Sequence, residues 1–232
     1  AAPEGGTLKD PLHNFSSSNT WNVVLTVTTN DNCTNSITKG VPILLGGVAV
    51  APTPLAPYTI DFNTAAGSWI PERLDTGTQI SWIWDVPAGF NITSPALDKA
   101  WWTGYRRPLD STYYDFEQSA VNGPCFDLTS LNRPMLELDY WSDAEKNIDG
   151  AVVQFSINGG LSWQVVGPLS GFPRDQGINW YDPNAIITGD PGQQFRKTFS
   201  PAYGWTDKTG QWKRAKFNLD IVPVAQRAQV RI

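Results

Sequence analysis

Residues 156–163 of the chain spell Ser-Ile-Asn-Gly-Gly-Leu-Ser-Trp, and they follow the alternating run Ala-Val-Val-Gln-Phe at 151–155. A β-branched and aromatic run that leads into a polar, glycine-rich stretch predicts a β-hairpin. Asn158 and Gly159 are expected to supply the two positive-φ positions that a two-residue turn requires. This hairpin suggests that the surrounding sequence is built from strands.

The spacing of residues within this turn is also informative. The hydroxyl groups of Ser156 and Ser162 can bond to the turn backbone, and Trp163 can fold over it. The turn resembles an Asp-box hairpin (Ser-x-Asp-x-Gly-x-Thr-Trp), with Asn158 in place of Asp, Gly160 at the glycine and Ser162 in place of Thr. The resemblance implies a folding device, found in sialidase propellers and reelin-like jelly rolls, rather than a catalytic site.

The composition favours an all-β protein with many turns. The 232 residues allow one large or two smaller domains, and they include 11 Trp, 18 Pro and 20 Gly. Apolar residues do not follow the helical period over three turns, so we expect almost no helix. The net charge of −5 argues against nucleic acid as a partner. An apolar run of about 18 residues, as a membrane-spanning helix needs, is not found.

The inventory of reactive side chains predicts that the chain is not an enzyme. His13 is the only histidine, which excludes a Ser-His-Asp triad or a His-rich zinc site in the later part of the chain. Cys33 and Cys125 are too few for a disulfide scaffold. Two carboxylates could serve glycoside hydrolysis, but nothing singles out a pair among the 22 acidic residues.

The first part of the chain carries a second resemblance. Residues 10–15 (Asp-Pro-Leu-His-Asn-Phe) and 19–23 (Asn-Thr-Trp-Asn-Val) resemble the second half of a PKD domain, an Ig-like β-sandwich. Asn19 replaces a Gly of that pattern and Trp21 replaces a Tyr. The family's Trp-x-Phe-Gly-Asp signature does not precede them. The resemblance therefore implies that residues 1–46 are the C-terminal part of a PKD-like domain.

A connector and a long β region follow. Prolines at 52, 54 and 57 predict a stiff, extended linker over residues 47–57. From residue 58 onward, short strand patterns alternate with turn signals, which is typical of a sandwich.

The order of segments in this second region resembles the MAM-like jelly roll found in secreted proteins of Bacteroidota beside PKD-like repeats. The segments in question are residues 82–89, 100–103, 117–121, 123–128, 134–141, 149–153 and the turn at 156–163. The resemblance implies a jelly-roll β-sandwich over residues 58–232, truncated at its C-terminal end.

Acidic residues near position 115 predict a metal site. Asp110, Asp115 and Glu117 flank a turn that leads into a strand, and Ca²⁺ prefers such carboxylate oxygens together with backbone carbonyls. The MAM-like resemblance implies a structural Ca²⁺ near this point, with Glu117 as its best match. The alternative is a solvated acidic loop.

Aromatic residues in the loop-rich stretch 171–212 suggest a ligand platform. Trp180, Tyr181, Trp205 and Trp212 could stack on a sugar or a protein, since loops carry function in sandwiches. The alternative is a loop whose aromatic side chains form a small core of their own.

Two functional hypotheses follow from these resemblances. The first is a non-catalytic adhesion or display module of a large bacterial surface protein, such as a gliding-motility adhesin or other Type IX secretion cargo. Its partners would be a surface polysaccharide or protein, neighbouring domains and the secretion machinery. The second is an accessory or carbohydrate-binding module of a secreted protease or glycosidase. Both imply an extracellular location.

Overall fold

The computed structural model describes residues 19–43, 49–74, 80–88, 92, 98–104, 112–160, 162–167, 177–181, 186–189, 191 and 202–232. The chain divides into two compact units, Ala1–Val48 and Ala49–Ile232. Regular structure in the described ranges is β-strand, apart from one 3-10 turn at Val224–Gln226. The predicted all-β class is therefore confirmed, whereas the PKD and jelly-roll assignments stay predictions. None of the described helical residues belongs to a helix that is long and apolar enough to cross a membrane.

The described part of the first unit is an antiparallel hairpin. Strands β1 (Asn19–Thr28) and β2 (Thr34–Ile43) pair along their whole length, with Leu25 opposite Ile37. The connecting turn is closed by a hydrogen bond from the Thr29 N–H to the carbonyl of Cys33, at 2.9 Å. Val23, Val24 and Val27 of β1, whose β-branched side chains favour a strand, are exposed within this hairpin.

The second unit contains short strands. They are β3 (Ile70–Arg73), β4 (Trp82–Asp85), β5 (Ala100–Thr103), β6 (Ser119–Asn122), β7 (Cys125–Phe126), β8 (Met135–Tyr140), β9 (Gln154–Phe155), β10 (Gln164–Val165), β11 (Gly177–Ile178), β12 (Ile186–Ile187), β13 (Ala202–Tyr203), β14 (Lys213–Asn218) and β15 (Val230–Arg231).

Strands β7, β15, β9 and β10 lie side by side, joined by short pairings and by isolated single-residue bridges. Val50 pairs in parallel with Phe126 of β7, and β7 pairs antiparallel with β15. The other edge of β15 bonds to Ser156, which directly follows β9, and β9 pairs with β10. The lateral order is therefore Val50, β7, β15, β9 and β10.

A second sheet has the order β11-β14-β8. Along β14, Ala215 and Phe217 are buried, while Arg214 on the other face is exposed. This period of two is the pattern of a strand with one face in the core and one in solvent. The exposed face carries a cross-strand pair between Arg214 and Asp139 of β8.

The main core combines side chains from both of these groups of strands. Its buried side chains come from the first sheet, from β14 of the second and from the adjoining loops: Phe126, Leu128, Phe155, Val166, Phe217, Leu219, Val222 and Val230. Burying each large side chain of this set contributes about 1.5–3 kcal/mol.

Residues 49–57, predicted as a linker, are tied to the second unit. Val50 exchanges two hydrogen bonds with the strand at Cys125 and Asp127, each 2.8 Å long. The hydroxyl of Ser130 donates to the carbonyl of Pro52 at 2.7 Å. The prolines are compatible with these contacts because Val50, and not a proline, supplies the bonded N–H.

Candidate functional site

The Asp-box-like turn is longer than the sequence suggested. β9 ends at Phe155 and β10 begins at Gln164, so eight residues, rather than two, separate the paired strands. Positive φ angles occur at Gly159 (75°) and Gly160 (94°), and not at Asn158. The prediction of positive φ at Asn158 is therefore wrong. Two consecutive glycines, which lack a Cβ, take the left-handed positions at lower cost than asparagine.

Ser156 and Asn158 organise this loop. The Ser156 Oγ accepts hydrogen bonds from the N–H groups of Gly160 (2.9 Å) and Asn158 (3.3 Å), and it donates to Asn158 Oδ1 (2.9 Å). The same Oδ1 accepts from the N–H of Ser162 at 3.0 Å, while Asn158 Nδ2 donates to the Ser162 Oγ at 2.8 Å. The side chains thus replace the backbone ladder across the turn.

Trp163 and Arg231 each donate a hydrogen bond to a carbonyl of the loop. The buried indole of Trp163 donates from Nε1 to the carbonyl of Gly160 at 3.0 Å. Arg231 of β15 donates from Nη1 to the carbonyl of Gly159 at 3.0 Å, and its guanidinium lies 5.9 Å from the Trp163 ring centroid. Arg231, which sequence reasoning missed, fixes the turn to a third strand. These contacts hold the loop against its neighbouring strands.

The carboxylate of Glu117 accepts hydrogen bonds from several neighbouring residues. Its Oε1 accepts from the N–H of Ser81 at 2.9 Å and from the hydroxyl of Ser119 at 2.6 Å. Its Oε2 accepts from the N–H of Tyr114 at 3.4 Å. The carboxylate thereby connects the start of β6 with Ser81, just before β4, which lies 36 residues earlier in the chain.

Of the three predicted calcium ligands, Glu117 alone takes part in these hydrogen bonds. Asp110 lies outside the described residues, and Asp115 is exposed beside Phe116 at the tip of the turn. No group of three or more His, Cys, Asp or Glu residues that could hold a metal is found in the part of the chain that the structure describes. The Ser81 hydroxyl is nevertheless buried without a hydrogen-bond partner, next to the N–H that binds Glu117. This hydroxyl belongs to the residue whose N–H binds Glu117, and its oxygen is of the kind that Ca²⁺ accepts as a ligand.

Three of the four predicted platform aromatics form a core. Tyr181 and Trp205 are buried, and Trp180 packs against both, with ring centroids 5.2 and 4.9 Å away. Their polar atoms are satisfied internally, since Trp180 Nε1 donates to the Val166 carbonyl at 2.9 Å. This is the self-packed alternative that the sequence left open.

The same cluster extends to β8 and β14. Trp205 stacks on Tyr140 at a centroid distance of 4.6 Å, and its Nε1 donates to the carbonyl of Asn179 at 3.1 Å. Trp180 also packs on Phe217, which belongs to the main core. A ligand that stacks on Trp180, Tyr181 or Trp205 would have to displace these contacts. Trp212 is partly exposed.

Comparisons with known proteins add one finding. The chain is similar to Bacillopeptidase F of Bacillus subtilis (strain 168), with 24% identity over 153 residues. The matched region covers 66% of this chain but 10% of that protein, so the chain corresponds to a small part of this relative. No model of a protein family matches the chain, and no solved structure matches it.

Proposed function

We propose that this chain is a non-catalytic β-structured module of an extracellular multidomain protein, positioned beside a peptidase domain. The observation that carries the proposal is the match to Bacillopeptidase F, a long protein of which the shared region is only 10%. In this proposal, the module positions, stabilises or extends the enzyme. Of the two hypotheses from the sequence, the accessory module is therefore preferred.

The reactive groups of the chain support a non-catalytic role. A Ser-His-Asp site would depend on His13, because the chain has no second histidine. The Asp-box-like turn and the Glu117 carboxylate both use their polar atoms to connect strands. Adhesion to a surface polysaccharide or protein stays a prediction from the sequence, and the relative found is a peptidase by name.

Enzyme assays on the purified chain test this proposal. We expect no hydrolysis of casein, of fluorogenic peptides or of soluble glycans above the level of a heat-denatured sample. Hydrolysis that one carboxylate substitution abolishes would contradict the proposal. Fusion of the chain to a peptidase domain provides the positive test, in which thermal half-life or processing of large protein substrates should change while hydrolysis of a small peptide does not.

We also propose that Glu117 and the Ser81 hydroxyl contribute to a structural Ca²⁺ site. An ion that binds only the folded chain stabilises it by about 2.7 kcal/mol at a hundredfold excess over its dissociation constant. We therefore expect EDTA to lower the melting temperature of the native chain, and expect the response to be lost in Glu117→Gln. Asp143→Asn, at a carboxylate paired with Lys208, is the matched control that should retain it. Native melts that superimpose with and without EDTA would contradict calcium binding.

A further inference from the structure

The sequence Asn-Gly occurs twice in the second unit, at Asn122-Gly123 and at Asn158-Gly159. Asparagine followed by glycine is the dipeptide in which the next backbone nitrogen most easily reaches the side-chain amide, because glycine has no Cβ to obstruct the approach. Asparagine is one of the chemically labile residues for this reason. The fold places the two pairs in opposite environments.

We propose that Asn158 is a site of spontaneous deamidation in the folded protein, and that its aspartate product keeps the turn intact. The backbone nitrogen of Gly159 attacks Asn158 Cγ, the Cγ–Nδ2 bond breaks, and ammonia leaves with the proton from that nitrogen. Water then opens the cyclic imide at one of its two carbonyls, giving aspartate or isoaspartate. Water is the only co-reactant.

The surroundings of Asn158 allow this reaction. Asn158 and Gly159 are both exposed, and a Cβ placed on Gly159 would meet nothing within 4 Å. The N–H of Gly159 has no hydrogen-bond partner among the described residues, so base and solvent can reach it. Two donors, the Ser156 hydroxyl and the Ser162 N–H, already point at Asn158 Oδ1. They lie where negative charge develops on the tetrahedral intermediate, as donors in an oxyanion hole do.

Asn122 provides an internal control because the fold protects it. Asn122 is 2% exposed, and its Nδ2 donates to the carboxylate of Glu72 at 2.9 Å, whereas Asn158 is exposed and its Nδ2 donates to the exposed hydroxyl of Ser162 at 2.8 Å. The N–H of Gly123, which would have to attack, donates to the carbonyl of Ile232 at 2.6 Å. Reaction at this pair requires local unfolding of the strands around it.

The aspartate product fits the turn that holds Asn158. Its carboxylate would still accept from the Ser156 hydroxyl and the Ser162 N–H, and the Ser162 hydroxyl could turn to donate to the second oxygen. The product would also match the Asp that an Asp-box pattern has at this position. Isoaspartate adds a methylene to the main chain and would displace Ser162 from its partners.

Incubation of the chain at mildly alkaline pH, followed by peptide mapping with mass spectrometry, tests the proposal. We expect conversion at Asn158 to be at least about tenfold faster than at Asn122 in the folded chain. In denaturant both sites should convert at similar rates, and Gly159→Ala should suppress conversion at 158 only. Thermal melts of Gly159→Ala and Asn158→Asp should show that both variants fold, with Asn158→Asp within about 2–4 °C of the native chain.

Several results would overturn the proposal. Conversion at Asn158 as slow as at Asn122 in the folded chain, with both sites converting in denaturant, would mean that the turn protects Asn158. Equal conversion of both sites in the folded chain would show that the fold does not favour reaction at Asn158. No conversion in denaturant would show that these Asn-Gly pairs are not intrinsically reactive. A large loss of stability in Asn158→Asp would refute the claim that the product keeps the turn.

Discussion

The hydroxyl groups of Ser156 and Ser162 contribute unequally to the stability of the Asp-box-like turn. Ser156 is 1% exposed and connects three polar groups of the turn, whereas Ser162 is exposed and binds one side-chain amide through its hydroxyl. The sequence pattern indicated that both serines bond within the turn. It could not rank them, because burial depends on Trp163 and on β15, which joins the turn from the far end of the chain.

Replacing Ser156 with Ala should therefore destabilise the protein more than replacing Ser162. Ser156→Ala leaves the Gly160 N–H without its acceptor in a partly buried position, for which we expect a loss of about 1–3 kcal/mol in the free energy of unfolding. Ser162→Ala is the matched control and should cost no more than about 0.5 kcal/mol. Urea denaturation of both variants measures the difference, and equal midpoints would show that the turn is not held by Ser156.

At the scale of elements, sequence patterns located strands better than they located strand ends. The segments at 82–89 and 100–103, which the sequence singled out, contain β4 and β5. The run at 151–155 is reduced to β9 at Gln154–Phe155. Ala151 pairs with Trp205 instead, a partner that local patterns cannot reveal.

The pairing of β8 with β14 has a charged component on its exposed face. Arg214 donates from Nε and Nη2 to the two carboxylate oxygens of Asp139, both at 2.9 Å. These hydrogen bonds hold the pKa of Asp139 below its usual value. A lowered folded-state pKa means that the stabilisation is present above the unfolded pKa of about 3.9 and is lost as pH falls through the folded value.

We therefore expect Asp139→Asn to melt slightly below the native chain at pH 7, by no more than about 2–4 °C for an exposed pair. The gap should close in acid, below the range in which the native carboxylate becomes protonated. Arg133→Gln is the control, since its guanidinium is highly exposed and lies 3.7 Å from Asp220. Calorimetry across this pH range measures the effect, and a gap that stays constant into acid would show that Asp139 acts through packing rather than charge.

For the molecule as a whole, the sequence predicted the all-β class but not what the loop aromatics do. Trp180, Tyr181 and Trp205 lie in a glycine- and proline-rich stretch, where exposed and buried rings have the same local pattern. Only the packing of these three rings with residues of β8 and β14 distinguishes a platform from a core. The contact of Glu117 with Ser81 is likewise invisible in sequence, because it joins positions far apart in the chain.

The buried aromatic cluster predicts how the molecule responds to alkali. Burial raises the pKa of Tyr181 well above its ordinary value, although the Val153 N–H that donates to its hydroxyl works in the opposite direction. A raised folded-state pKa means that the contribution of Tyr181 is fully present below the unfolded pKa of about 10 and declines as pH rises beyond it. Above about pH 10, the buried phenol of Tyr181 should lower the free energy of unfolding by about 1.4 kcal/mol for each further pH unit.

The variant Tyr181→Phe isolates this contribution. At pH 7 it should be less stable than the native chain, since the Val153 N–H loses its acceptor, by about 1–3 kcal/mol. Above about pH 10 the deficit should shrink, because the variant has no phenol to ionise at this position on unfolding. Tyr203→Phe, at a partly buried tyrosine of the same cluster, serves as the control for a general effect of alkali. Parallel loss of stability in the native chain and Tyr181→Phe would show that other groups, and not the buried phenol, set the alkaline limit of the fold.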